Sequence, residues 1–167
     1  MEVLIRPVPR TKYEPEEAEA ICCTYDMNAS SPMSAVLLHF GLDREHFSKC
    51  ASMHAGDKSR VISHGDEKPF IITTNKLEDW GPEPNVAWEV LTAADAERCE
   101  SLSISHFALT NKLFPEEIFN RYLRQILQAK YFTNIKQIFV DVDEAYFDSA
   151  NHIYQQLKIK IIQQKLL

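Results

Sequence analysis

From position 101 to 109 the chain alternates small polar and apolar residues (Ser101-Leu102-Ser103-Ile104-Ser105-His106-Phe107-Ala108-Leu109). It then breaks at the polar turn Thr110-Asn111-Lys112. Apolar residues next recur at helical spacing over 115–130, at Ile118, Phe119, Tyr122, Leu123, Ile126 and Leu127. A continuous apolar run, Ile138-Phe139-Val140-Asp141-Val142, follows, and a second helical stretch covers 145–157. Strand, helix, strand, helix predicts parallel neighbours joined by helical crossovers.

The earlier chain reads in the same terms. Val3, Leu4 and Ile5 predict a first strand over 2–8, which Pro7 and Pro9 end or confine to an edge. Residues 10–19 are charged and Pro-bearing and read as loop or an irregular helical turn. Ala20-Ile21-Cys22-Cys23-Thr24-Tyr25 is apolar without alternation, as a parallel strand covered on both faces is. Ser30 or Ser31 caps a helix that begins at Pro32, with Met33, Val36, Leu37 and Phe40 inward and Gly41 past its end. A short helix starting at Asp43 and reaching Cys50 or Met53 follows, then strands at 60–63 and 70–74 joined as a hairpin. Asn85 caps a helix through Cys99 whose buried stripe is Ala87, Val90, Leu91 and Ala94. The tail 158–163 alternates Lys and Ile, which fits an edge strand or a continued helix equally well.

Together these elements predict an α/β protein: a three-layer α/β/α arrangement with a mixed, mostly parallel central sheet. The 167 residues imply one domain, 1–167, with 45% apolar and 25% charged positions. The net charge of −6 disfavours non-specific nucleic-acid binding, which depends on clustered Lys and Arg. Cys22, Cys23, Cys50 and Cys99 show no CxxC spacing, and no apolar stretch has membrane length. A reduced cytoplasmic or nuclear setting is expected, with no metal, cofactor or membrane partner. P-loop, GxGxxG and Ser/His/Asp signatures are absent from the sequence.

Ligands of open α/β sheets sit beyond the carboxyl ends of the strands. That places Asp26, Asn28, Ser30 and Ser31 on one wall of a candidate site and Thr110, Asn111 and Lys112 on the other. The helix start at Pro32 offers free N–H groups to an anion, and Lys112 adds a point charge. Asp26 is the candidate to orient a hydrolytic water. Each has a plainer role: helix cap for Ser30 or Ser31, turn for Thr110 and Asn111, solvated acid for Asp26. His64 falls in a polar loop, and His106 alternates along a strand as core histidines do. Asp141 and Asp143 flank Val142 and suit a ribose hydroxyl or a metal, although Asp143 also suits a helix cap. Trp80 either covers a pocket or packs its own loop.

The order of elements resembles a macro domain, the α/β/α fold that binds ADP-ribose. Ala20-Ile21-Cys22-Cys23 looks like the family's Ala-Ile-Val-Asn strand. Gly56-Asp57 through Arg60-Val61-Ile62-Ser63-His64-Gly65, followed by Phe70-Ile71-Ile72-Thr73-Thr74, is similar to its Gly-bearing hairpin. Ser103-Ile104-Ser105-His106-Phe107-Ala108-Leu109 resembles its Ser-Ile-Ala-Phe-Pro strand, and Phe139-Val140-Asp141-Val142-Asp143 its last strand. The resemblance implies binding of ADP-ribose or a related nucleotide, a weak ADP-ribosyl hydrolase activity, and ADP-ribosylated protein as a partner. The sequence departs from the family at both ligand loops, which lack glycine: Asn28-Ala29-Ser30-Ser31-Pro32-Met33-Ser34 and Thr110-Asn111-Lys112-Leu113-Phe114. Val142 stands where the family often stacks an aromatic on adenine. The alternative is a degenerate macro fold serving as a protein-interaction or structural module.

Overall fold

The structure, a computed structural model, describes residues 1–9, 18–24, 59–62, 70–73, 86–108, 115–129 and 132–166. In chain order the strands and helices are β1 (Glu2–Val8), β2 (Ala20–Thr24), β3 (Ser59–Ile62), β4 (Phe70–Thr73), α1 (Val86–Ala96), β5 (Ser101–Phe107), α2 (Glu116–Gln128), β6 (Gln137–Asp143) and α3 (Phe147–Leu166). A 3-10 turn, Glu144–Tyr146, joins β6 to α3. The six strands form one sheet in the order β1-β6-β5-β2-β4-β3, parallel except where β3 meets β4. The fold is therefore mixed and mostly parallel α/β, with β3 and β4 paired antiparallel as the hairpin reading expects.

The side chains of each strand alternate between two faces. Val3, Ile138, Leu102 and Ala20 form one row on the helix-covered face, and Ile5, Val140, Ile104 and Cys22 the next. These rows join Val90, Leu91, Phe119, Leu123 and Ile126 of the helices in one core. The α1 stripe of Ala87, Val90, Leu91 and Ala94 is fully buried, as its spacing predicts. α1 ends at Ala96 rather than Cys99, and Arg98 (φ 57°) turns the chain into β5. Burying this much apolar surface is the main drive for folding.

The opposite face is buried too, and it mixes apolar Ile21 and Phe139 with polar groups. Ser103, Ser105 and Asp141 are all fully buried there. The alternation in β5 is one of chemistry, not of exposure, because a central parallel strand is covered on both sides. Ser105 Oγ donates to the Cys22 carbonyl (2.8 Å), and Ser103 Oγ to Asp141 Oδ2 (2.8 Å). Arg6 meets Asp141 through Nε (2.6 Å) and Nη2 (3.0 Å) and lies over the Phe139 ring at 4.5 Å.

β1 is an edge strand, and Pro7 lies inside it without breaking the ladder. The Glu2 N–H donates to the Lys136 carbonyl, so even-numbered β1 residues turn their backbone groups toward β6 and Val3, Ile5 and Pro7 turn theirs outward. Pro7 therefore lacks a donor only where none is needed. The tail resolves as helix: α3 runs through Leu166 without interruption. No Gly or Pro follows position 144, and four alternating residues are too few to outweigh a continuing helix.

Candidate functional site

Five parallel strands direct their carboxyl ends to one rim. From β2 the chain proceeds to β3 and β4 on one side, and from β5 it proceeds to β6 on the other. The direction of winding reverses between β2 and β5, the point at which open α/β sheets form their ligand crevice. The pairing itself opens there. The β2–β5 ladder stops at Cys22↔Ile104, whereas β2 stays paired with β4 up to Thr24↔Thr73 and β5 stays paired with β6 up to Phe107↔Val142. At the rim the sheet thus parts into two halves between Thr24 and Phe107.

Local chemistry accounts for the parting. β5 shifts register between Ile104 and Phe107, an irregularity of the kind that bends a strand beside functional sites. The Ala108 N–H turns back to the Ser105 carbonyl (3.2 Å). Ser105 Oγ occupies the Cys22 carbonyl at the last shared rung, so side chain replaces ladder where the strands separate. Beneath this edge Phe107 packs edge-on against Phe119 (4.9 Å, 89°) and Tyr122 (5.7 Å, 82°) of α2. Burial pushes the Tyr122 hydroxyl well above the ordinary tyrosine range, with Cys22 adding to the effect.

The seven candidate residues Asp26, Asn28, Ser30, Ser31, Thr110, Asn111 and Lys112 lie outside the described residues, as do the Pro32 helix, the 43–53 helix, His64, Trp80 and Asn85. The strands that lead into the two candidate segments, β2 ending at Thr24 and β5 at Phe107, are neighbours and end at the same rim. The start of α2 reaches this rim as well, but Glu116 and Glu117 fill its first turn and already complement the positive end of its dipole.

The acids of β6 have structural partners. Asp141 is fully buried and paired with Arg6 and Ser103, which corrects its reading as a ribose or metal ligand. Asp143 accepts from the Ala145 N–H (3.0 Å) and caps the turn into α3, as its alternative reading has it. Val142 is fully buried. Among the described residues no group of three or more His, Cys, Asp or Glu is placed to hold a metal ion, and no described helix is long and apolar enough to cross a membrane. The Arg6–Asp141 pair escaped sequence reading because its partners are 135 positions apart. The signal was an acid inside an apolar strand, which demands a cation nearby.

A third cluster sits at the opposite rim, where the strands begin. Glu19 carboxylate accepts from the Glu100 N–H (2.7 Å), Ser101 Oγ from the Glu19 N–H (2.9 Å), and Glu100 carboxylate from Lys136 Nζ (2.9 Å). These bonds fix where β2, β5 and β6 start. The Lys136 ammonium is held above its ordinary range by Glu100, and the Cys99 thiol is pushed up by burial and by Glu19 and Glu97.

No protein-family model and no curated protein matches the chain. Solved structures do. A macrodomain of Oceanobacillus iheyensis with MES bound is similar over 97% of this chain and 92% of its own, at 14% identity and a TM-score of 0.62. The same macrodomain with ADP gives 96% and 91%, 14% identity and 0.60, and a variant of it with ADPR gives 95% and 92%, 15% and 0.59. Tomato leucine aminopeptidase shares the fold over 95% of this chain but only 35% of its own, at 7% identity and a TM-score of 0.60. At these identities the likeness concerns architecture, and that architecture is macro-like.

Proposed function

We propose that the chain binds ADP-ribose or a related nucleotide in the crevice beyond the carboxyl ends of β2 and β5. The observation that carries this reading is the break between Thr24 and Phe107, where the winding of the described strands reverses. Structures of the same fold holding ADP and ADPR support it. In this reading the helix start at Pro32 with Ser30 and Ser31 seats the diphosphate through backbone N–H groups. Asn28, Thr110 and Asn111 hydrogen-bond the sugar hydroxyls, and Lys112 offsets phosphate charge. A weak hydrolysis of ADP-ribosyl groups from a modified protein is assigned to Asp26, orienting the attacking water.

Thermal unfolding with added ADP-ribose tests binding directly. A ligand present at a hundredfold its Kd stabilises the native state by about 2.7 kcal/mol, a shift of several degrees. An unchanged midpoint at millimolar ADP-ribose overturns the reading in favour of a macro fold that serves as an interaction module. The absence of glycine from both candidate loops favours that second reading, since glycine-poor loops keep backbone N–H groups farther from a diphosphate. Release of ADP-ribose from a modified protein tests the catalytic part. Asp26→Asn should abolish it, and undiminished release acquits Asp26.

A further inference from the structure

We infer that Ser105 is a positioning residue for the crevice: its hydroxyl ties β5 to β2 at the inner end of the parting and so sets how far apart the two halves of the rim stand. The inference rests on the proposed binding of a nucleotide between those halves. Continued in register, the β2–β5 ladder would next pair Cys23 with Ser105 and Thr24 with His106, and neither rung is made. The polar groups of Ser105 are committed differently. Its carbonyl accepts from the Ala108 N–H three residues on (3.2 Å), and its Oγ donates to the Cys22 carbonyl across the parting (2.8 Å). The first bond bends β5 away from β2, and the second limits how far it goes. Ser105 and Cys22 are both fully buried, so breaking their bond would leave a carbonyl shut away from water.

Position gives this bond its consequence. Asp26 follows Thr24 by two residues, and Thr110 follows Phe107 by three. Connections that short cannot make up for a change in the spacing of the strand ends from which they leave. Ser103 supplies an internal comparison. It is equally buried, lies two residues earlier on the same face of β5, and donates a bond of the same length, 2.8 Å, to Asp141. That bond joins β5 to β6, whose pairing continues to Phe107↔Val142, and so it does not span the parting.

Isothermal titration with ADP-ribose compares the variants with the wild type. Ser105→Ala should weaken affinity by up to about tenfold, because only chains with a correctly spaced rim bind and one buried hydrogen bond shifts their fraction that far. Ser103→Ala should bind as the wild type does, although it too loses a buried bond. Ser105→Thr keeps the hydroxyl but adds a methyl to a filled interior, so it should unfold at a lower temperature yet retain affinity. If Ser105→Ala does not fold, Ser105→Cys, close in volume but a weak donor, takes its place. Hydrogen exchange of the unliganded proteins reads the tie directly: Ser105→Ala should quicken exchange of the Cys22–Thr24 amides, and Ser103→Ala should not. Unchanged affinity in Ser105→Ala, an equal loss in Ser103→Ala, or a loss in Ser105→Thr that follows its stability overturns the inference. A wild type that does not bind ADP-ribose sinks the functional reading instead. The tie is then decided by exchange alone, upheld by quickened rates in Ser105→Ala and overturned by unchanged ones.

Discussion

Arg6 and Asp141 stand in register on neighbouring parallel strands, joined side-on by two N–H···O contacts of 2.6 and 3.0 Å on the face away from the described helices. The carboxylate is fully buried, and the arginine is about one-fifth exposed. Losing one partner leaves the other charge uncompensated. Arg6→Met is therefore expected to lower stability by about 3 kcal/mol, and Asp141→Asn by less because Arg6 still reaches water. Replacing both, Arg6→Met with Asp141→Leu, should recover most of the loss, since a packed apolar pair avoids the desolvation cost. Urea denaturation of the three variants decides it. Additive losses in the double variant would show that the residues act independently.

The same edge strand is protected on its outer side by two devices. Pro7 offers no donor, and the outward Val3 carbonyl is taken by Tyr154 at 2.8 Å. Exposed strand edges pair with one another unless blunted in such ways. Tyr154→Phe should cost about 1 kcal/mol for the lost hydrogen bond. Combined with Pro7→Val, it should make the protein aggregate on mild heating through edge pairing. Light scattering at matched distances below each unfolding midpoint measures this. Equal scattering by wild type and the double variant refutes the protective role.

Stability at high pH carries the mark of Tyr122. Its hydroxyl titrates well above 10.0 in the folded protein, chiefly because burial penalises the phenolate. Below about pH 10 the proton is held by folded and unfolded chains alike, and the contribution is intact. Above it the unfolded chain releases the proton and the folded one does not. Stability must then fall with rising pH, by up to about 1.4 kcal/mol per unit. Tyr122→Phe has no proton to release, so its stability curve should be flatter above pH 10. Cys99 and Lys136, whose values are also raised, add the same downward sign in both proteins and leave the difference to Tyr122. Parallel curves for the two proteins contradict this.

What the chain revealed in advance depended on how local the cause was. The α1 stripe and the unbroken apolar run of β2 were legible because burial imposes its period directly on neighbouring residues. The final helix was undecidable at Lys158-Ile159-Lys160-Ile161, where a two-residue and a 3.6-residue period agree over four positions. The serines of β5 could be seen to alternate with apolar residues, but not what buries them: Ser103 and Ser105 bond to Asp141 and Cys22, remote in sequence. Arg6 and Asp141 could each be seen as anomalous, but not as a pair. For the site, crossover rules predict parallel neighbours but not the strand order, which sets β2 next to β5 so that their ends share one rim. The loop residues beyond them follow from the carboxyl-end rule and the helix start at Pro32, and only their ligand, ADP-ribose, rests on resemblance.

Phe107 connects the core to the proposed crevice and gives the sharpest test of it. Its ring holds the end of β5 against Phe119 and Tyr122 where that strand leaves β2. Phe107→Ala should cost about 3–5 kcal/mol, and Phe107→Leu less, since much of the volume remains. Slackening this anchor lets the rim shift, and a misplaced rim weakens ligand contacts. Phe107→Leu is expected to reduce ADP-ribose affinity about tenfold, or 1.4 kcal/mol. Leu123→Ala supplies the comparison: it empties volume in the same core, at a cost of about 2–5 kcal/mol, but one helical turn farther from the rim. It should leave affinity nearly unchanged at temperatures where the protein stays folded. Isothermal titration of both variants separates the two outcomes. Equal loss in both would trace affinity to global stability rather than to the place where β2 and β5 part.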